Sequence, residues 1–248
     1  SLPALTDKHR IETVDALDCR LVEADWAFAR DEDGRIADHW RRRVAANPTL
    51  YDGVVLLANR VERQAREGGG VTLEIDFFET RFSRFLAWRD FGSPDRGVYN
   101  VFAMPALRSS DGAFLLGEMG PSHSAAGARF FPGGTPDLED VEAGSVDLHG
   151  SLVRELAEET GLGLEGARVE PAWRVVFEGQ RVACHKLIDW PEPAAQIAER
   201  VARYIAGAAK PELARAHMIR HRQELDDPRL PGFVRLFLHD MLTAREQD

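Results

Sequence analysis

Residues 147–162, DLHGSLVRELAEETGL, constrain this chain more than any other stretch. Asp147 carries the short oxygen side chain that accepts from free amides at a helix start. Gly161 supplies the backbone freedom of a helix end. Between them Glu155, Glu158 and Glu159 stand at i, i+3 and i+4, so a helix gathers them on one face. Val153, Leu156, Ala157 and Thr160 then fall on the other side, toward a core. Nothing basic follows in the stretch to neutralise the glutamates. Water alone tolerates such a face, because exposed like charges cost only about 0.2–0.5 kcal/mol per pair. A hard divalent cation is the other occupant that the spacing suits: Mg²⁺ takes one or two carboxylates, keeps waters and binds phosphates.

The formal charge of −10 argues against non-specific nucleic-acid binding, which needs a basic surface. It leaves room for an anionic substrate held through a divalent metal. With 248 residues, 44% of them hydrophobic, the chain can bury a real core as one large domain or two modest ones. No apolar run approaches the roughly 20 residues of a membrane span, and the opening SLPALTDKHR is too short and polar for a signal peptide. Cys19 and Cys184 are widely separated and read as buried small apolar residues of a cytoplasmic protein.

Periodicity and turn signals predict the elements. RIETVDALDCRLV and DWAFAR read as strands, and DGRIADHWRRRVAANP as a helix with Asp33 as a cap. YDGVVLLANRVERQ and VTLEIDFFET pair as a hairpin around REGGG, and TRFSRFLAWRDFG is a helix. Its Phe82, Phe85, Leu86 and Trp88 read as core or interface residues. FGSPDRGVYN, 91–100, is the best boundary, giving a smaller N-terminal α+β extension (1–96) and a second domain (97–248). Strands are then predicted at VYNVFAMPAL, AFLLGEM and around the Glu178-Gly179 turn. Helices are predicted at EPAAQIAERVARYIAGA, within PELARAHMIRHRQEL, and at PGFVRLFLHDMLTAREQ. The class is α+β.

RELAEETGL matches every specified position of the ending of the Nudix box, Arg-Glu-apolar-any-Glu-Glu-any-Gly-apolar, and FFPGG (130–134) resembles the turn that opens it. The chain therefore resembles the Nudix hydrolases. The resemblance implies an α/β/α sandwich with a mixed sheet. It also implies cleavage of a diphosphate linkage by water with Mg²⁺ or Mn²⁺. It assigns the metal to Glu155, Glu158 and Glu159, gives Arg154 a loop-holding role against a carboxylate, and makes Gly134 a close-approach turn beside Gly133. Arg129 is a candidate phosphate contact, given the Arg preference for such groups. Two departures stand out. Gly134 and Arg154 are 20 positions apart, six more than the family spacing, and Val146 occupies the place of a bracing glutamate. Glu139, Asp140 and Glu142 are the candidates to replace it. The general base is not legible; Glu178 is a weak candidate for it and His123 a weak candidate phosphate contact, and both read more simply as exposed residues.

The N-terminal order of a Trp helix, NPTLYDGVVLL, a second strand and RFSRFLAWRDFG loosely resembles the two-domain UDP-glucose pyrophosphatase type. A UDP-sugar is thus the first substrate class, and the extension is expected to face substrate or a second subunit, a homodimer being common in the family. The alternatives are a coenzyme A diphosphatase, suggested by GARFFPGG but lacking upstream arginines, and a catalytically weak nucleotide sensor.

Overall fold

The computed structural model describes residues 10–245. The opening SLPALTDKH, part of the stretch read as unlike a signal peptide, and the last three residues lie outside the described residues. Strands β1 (Arg10–Val14) and β2 (Ala16–Leu21) lead into helices α1 (Ala27–Asp31) and α2 (Asp33–Ala46). Then follow β3 (Val54–Ala65), β4 (Val71–Arg81) and α3 (Phe82–Asp90). The second half runs β5 (Asn100–Arg108), β6 (Phe114–Met119), β7 (Arg129–Phe130), β8 (Val141–Glu142), β9 (Ser145–Val146) and α4 (Leu148–Thr160). It closes with β10 (Arg168–Val169), β11 (Trp173–Glu178), β12 (Arg181–Asp189), α5 (Ala194–Gly207), β13 (Leu213–Ile219) and α6 (Gly232–Arg245). No helix among the described residues is long and apolar enough to cross a membrane.

The fold is α+β with two mixed sheets. The larger runs β1-β11-β12-β5-β6-β13, with β12 and β5 parallel and the other pairs antiparallel; β10 and β7 add at its sides. The smaller runs β3-β4-β2-β9-β8 and contains one parallel pair, β2 with β4. Strand β5 is buried on both faces, and its alternation sorts the layers. Phe102, Met104 and Ala106 pack with Phe233, Val234, Phe237 and Leu238 of α6. Val101 and Ala103 turn the other way, onto Leu148 and Leu152 of α4 and Leu56, Leu73 and Phe77 of the smaller sheet. Farther along that face Leu107 meets Leu156 of α4 with Ile197 and Val201 of α5. The large sheet is thus sandwiched between α6 on one side and α4 with α5 on the other.

The two halves of the chain share both sheets. Strand β1 adds to β11, while β9, from beyond residue 96, adds to β2 through Arg20 and Ser145. This β8–β9 hairpin is where the long Gly134–Arg154 spacing goes. A short 3-10 turn (Leu138–Asp140) precedes it, and Ala143 and Gly144, both at positive φ, make its two-residue turn. Val146, expected from the resemblance to take the place of a bracing glutamate, is buried in the core between the sheets.

Two predicted elements differ. DWAFAR is not a strand: Ala27–Asp31 is one helical turn. Burial of Trp26, Phe28 and Ala29 against Phe78 and Trp88 decides it, with Trp26 Nε1 donating to Asp95. PELARAHMI is not helical: Leu213–Ile219 pairs antiparallel with β6. Ala, Arg and Met favour helix locally, and the open edge of β6 overrides them. Asp33 is the first residue of its helix, with Glu32 in the cap position.

Candidate functional site

Helix α4 positions the acidic residues. Asp147 Oδ1 accepts from Gly150 N at 2.9 Å, and Gly161 closes the helix at φ +76°. Leu148, Leu152 and Leu156 are its buried ridge. At about 100° per residue, Glu159 lies only roughly 20° around the axis from Leu152, whereas Glu158 is roughly 100° from Glu159. The three glutamates therefore divide. Glu159 is buried at 3% exposure, Glu155 is half-buried, and the Glu158 side chain is 60% exposed. Ala157, expected toward the core, is also exposed.

The third carboxylate at this place comes from elsewhere. Glu212, just before β13, brings an oxygen within 4.8 Å of oxygens of both Glu155 and Glu159. Gly120 makes room for it: its N–H donates to the Glu212 carbonyl at 2.8 Å, and a Cβ there would sit 2.9 Å from that oxygen. Sequence reasoning missed Glu212 because the segment read as helix. The signal available was Pro211-Glu212 at the start of a run that can pair as an edge strand.

The PGG turn faces the same cluster. Gly133 N–H donates to Glu159 Oε2 at 2.9 Å. Gly133 has φ +156°, and a Cβ on it would lie 2.8 Å from the Ala103 carbonyl. Gly134 bridges Ala103, and a Cβ there would come within 4.0 Å of Glu155 Oε1. Both glycines thus bring backbone against the carboxylates.

Among the described residues, no arginine or lysine pairs directly with the triad. Arg154 turns to the loop instead: its guanidinium lies 3.0 Å from Asp140, 3.3 Å from Glu139 and 3.6 Å from Asp137, and 3.9 Å from Glu158. Of the Arg154 partners, Asp140 is the buried one, with its side chain 1% exposed, and Glu139 is exposed. Glu142 lies exposed in β8. Arg129 is engaged away from the cluster. Its Nε donates to Glu118 at 3.1 Å and its Nη1 to Asp227 at 2.9 Å, with the side chain 11% exposed. It does not line the cleft described below.

Crowding and burial shift the carboxylates. Burial, then the charges of Glu212 and Glu158, push Glu155 up to about 7. Burial, then Glu212 and Glu155, push Glu159 well above the usual carboxylate range, against the Gly133 N–H that lowers it. Burial also raises Glu212. Glu159 Oε1 is buried with no hydrogen-bond donor in reach among the described residues. Three crowded carboxylates, one of them with a buried, orphaned oxygen, are what a hard, oxygen-loving divalent cation would satisfy. The donor set fits Mg²⁺ or Mn²⁺.

The triad opens on a cleft of ≈ 460 Å³. Glu155, Glu212, Gly133 and Gly134 form one part of its wall. Phe102, Phe130 and Phe233 of the large-sheet layers and Tyr51, Phe82 and Phe85 of the N-terminal part supply aromatic surface. Phe82 and Phe85 were expected as packing residues; they pack and also line this cleft. His123 lies on the cleft wall with Nε2 3.6 Å from Glu212, and burial lowers its pKa. Its loop is tied down by Asn47 Nδ2 donating to the Ser122 carbonyl at 2.7 Å. Glu178 lies outside this cleft, paired with Arg181 at 3.3 Å.

No family model and no curated protein sequence matches the chain. Solved structures resemble it at low identity. A Nudix hydrolase from M. smegmatis, RenU, is 17% identical over 58% of this chain and 84% of that one, with a TM-score of 0.38. A MutT protein from Methanosarcina mazei Go1 is 18% identical over 60% and 96%, with a TM-score of 0.37. A bifunctional NMN adenylyltransferase/ADP ribose pyrophosphatase from Francisella tularensis, complexed with AMP and a Mn ion, is 15% identical over 59% and 42%, with a TM-score of 0.37.

Proposed function

We propose that this protein is a Nudix-type diphosphatase. It hydrolyses the diphosphate linkage of a nucleoside diphosphate conjugate, UDP-sugars first, with Mg²⁺ or Mn²⁺ held by Glu155, Glu159 and Glu212. The observation that carries this reading is the crowded carboxylate triad, buried Glu159 with half-buried Glu155 and exposed Glu212, at the wall of an aromatic-lined cleft. The ion, when bound, would neutralise phosphoryl oxygens and lower the pKa of bound water.

The chain's own residues do the rest. Gly133 N–H fixes the Glu159 carboxylate, so its free oxygen faces the other two acids. Gly134 lets a diphosphate approach without a side chain in the way. Arg154, gripping Asp137, Glu139 and Asp140, holds the 3-10 turn against α4 and so fixes the loop that leads from the PGG turn to the helix. Phe102, Phe130 and Phe233 keep the cleft dry and give a nucleobase flat apolar surface. Tyr51, Phe82 and Phe85 supply the opposite apolar surface, which gives the residues before 97 a substrate-facing role.

The test is a panel of UDP-glucose, ADP-ribose and coenzyme A with Mg²⁺ or with EDTA. UDP-glucose should yield UMP and glucose 1-phosphate only with metal. No metal-dependent hydrolysis of any conjugate would sink the reading.

A further inference from the structure

The cleft is lined by charges of both signs. Its acids are Glu155 and Glu212, and its arginines are Arg89 and Arg181. A second cavity of ≈ 430 Å³ shares Phe85, Arg89, Asn100 and Arg181 with the cleft and adds Arg96. None of Glu155, Glu159 or Glu212 reaches this second cavity. The arginines therefore stand where the cleft continues into a second, basic chamber that the triad does not line.

Their nearby carboxylates do not cancel them. Arg89 lies 3.4 Å from Asp90, but Asp90 also contacts His39 at 2.8 Å and Arg43 at 3.5 Å. Among the described residues Arg181 pairs with one carboxylate, Glu178 at 3.3 Å, which lines the second cavity beside Arg89, Arg96 and Arg181. Burial, then the like charges of Arg43 and Arg181, depress the Arg89 pKa, with Asp90 opposing. A partly desolvated cation among cations is costly unless an anion joins it. In a chain of net charge −10, keeping such a cluster beside a substrate cleft calls for an anionic occupant.

We propose that Arg89 and Arg181 are specificity residues that bind an acidic group, carboxylate or phosphate, on the substrate moiety beyond the diphosphate. This rests on the diphosphatase reading above and narrows it. The favoured substrate is a nucleotide conjugate whose distal half is charged. The aromatic walls take the apolar faces, the triad takes the diphosphate, and the planar guanidinium forks take the far anion.

The experiment compares two matched pairs, each differing by one acidic group on the distal half: UDP-glucuronate with UDP-glucose, and ADP-ribose 1″-phosphate with ADP-ribose. Turnover is measured with Mg²⁺, and binding by calorimetry with Ca²⁺. The acidic member of one pair should have a kcat/KM roughly 10-fold or more higher, the usual worth of a charge-assisted contact. Which pair shows it tells carboxylate from phosphate. In Arg89→Met and Arg181→Met that ratio should fall to about one. Arg181→Glu, at a half-exposed strand start where folding is safe, should invert it. Equal kcat/KM within both pairs overturns the proposal, as does an equal loss on both members in the arginine variants. If no conjugate is turned over, the hydrolase reading fails, and the calorimetric ratio alone decides this one: a preference for the acidic member sustains it, and no preference overturns it.

Discussion

Replacing Glu155 with Gln should make the metal-free protein more stable while weakening its grip on metal. Folding carries Glu155 from an ordinary carboxylate value of 4.5 to about 7, chiefly by burial, then by Glu212 and Glu158. The difference is worth about 3 kcal/mol at roughly 1.36 kcal/mol per pH unit. The folded value lies above the unfolded one, so the unfolded chain gives up its proton first. Below pH 4.5 both states keep the proton and the wild type suffers nothing. As pH rises through 7 the folded state loses up to about 3 kcal/mol relative to the unfolded chain. Gln cannot ionise and is free of this loss. In EDTA at pH 8.5 the variant should therefore exceed wild type by about 3 kcal/mol, or about 6–12 °C in Tm for a chain of this size. At pH 4.5 the two should nearly coincide. Urea denaturation read by tryptophan fluorescence at both pH values measures this directly. Saturating Mg²⁺ should then raise the wild type more than the variant. A variant no more stable than wild type in EDTA at pH 8.5 would refute the crowded triad.

Other substitutions separate the acids by role. Glu159→Gln keeps an oxygen for the Gly133 N–H, so it should fold, yet lose metal-dependent turnover by roughly 100-fold or more. Glu212→Gln should cost more activity than Glu158→Gln, because Glu158 lies outside the triad; the reverse order in kcat would count against the assignment. Arg154→Met strands the buried Asp140 and should cost about 2 kcal/mol, seen as a lower urea midpoint. His185, stacked on Phe237 at 4.2 Å, is held by burial down to about 3. Between pH 6.5 and 3 the unfolded chain binds a proton that the folded one refuses, so wild type should lose about 1.4 kcal/mol per pH unit from this group. His185→Met should flatten that acid slope; an unchanged slope would show that other groups set it.

Much of this was legible in local pattern. The α4 cap and stop, the β3–β4 hairpin and the strands around Glu178-Gly179 each rest on nearby residues, and all formed as the local pattern predicts, whereas the buried side of α4 turned to Leu148 and Leu152 and left Ala157 exposed. What escaped depended on partners far along the chain. Helical spacing alone put Glu155, Glu158 and Glu159 together, since it cannot tell which edge of an acidic arc meets the core. Only the packing of Leu152 and Leu156 buries Glu159 and leaves Glu158 in water. Glu212 entered through β13, whose strand state is imposed by β6. Val146 looked like a lost bracing acid; the β8–β9 hairpin shows it as a core residue, while Asp137, Glu139 and Asp140 face Arg154. Arg129, a phosphate candidate by residue type, is committed to Glu118 and Asp227.

The most direct test of the central claim is anomalous diffraction from crystals soaked in Mn²⁺. The account predicts a peak bounded by carboxylate oxygens of Glu155, Glu159 and Glu212. A peak placed on Glu158 without Glu212, or no peak at this cluster, would contradict it.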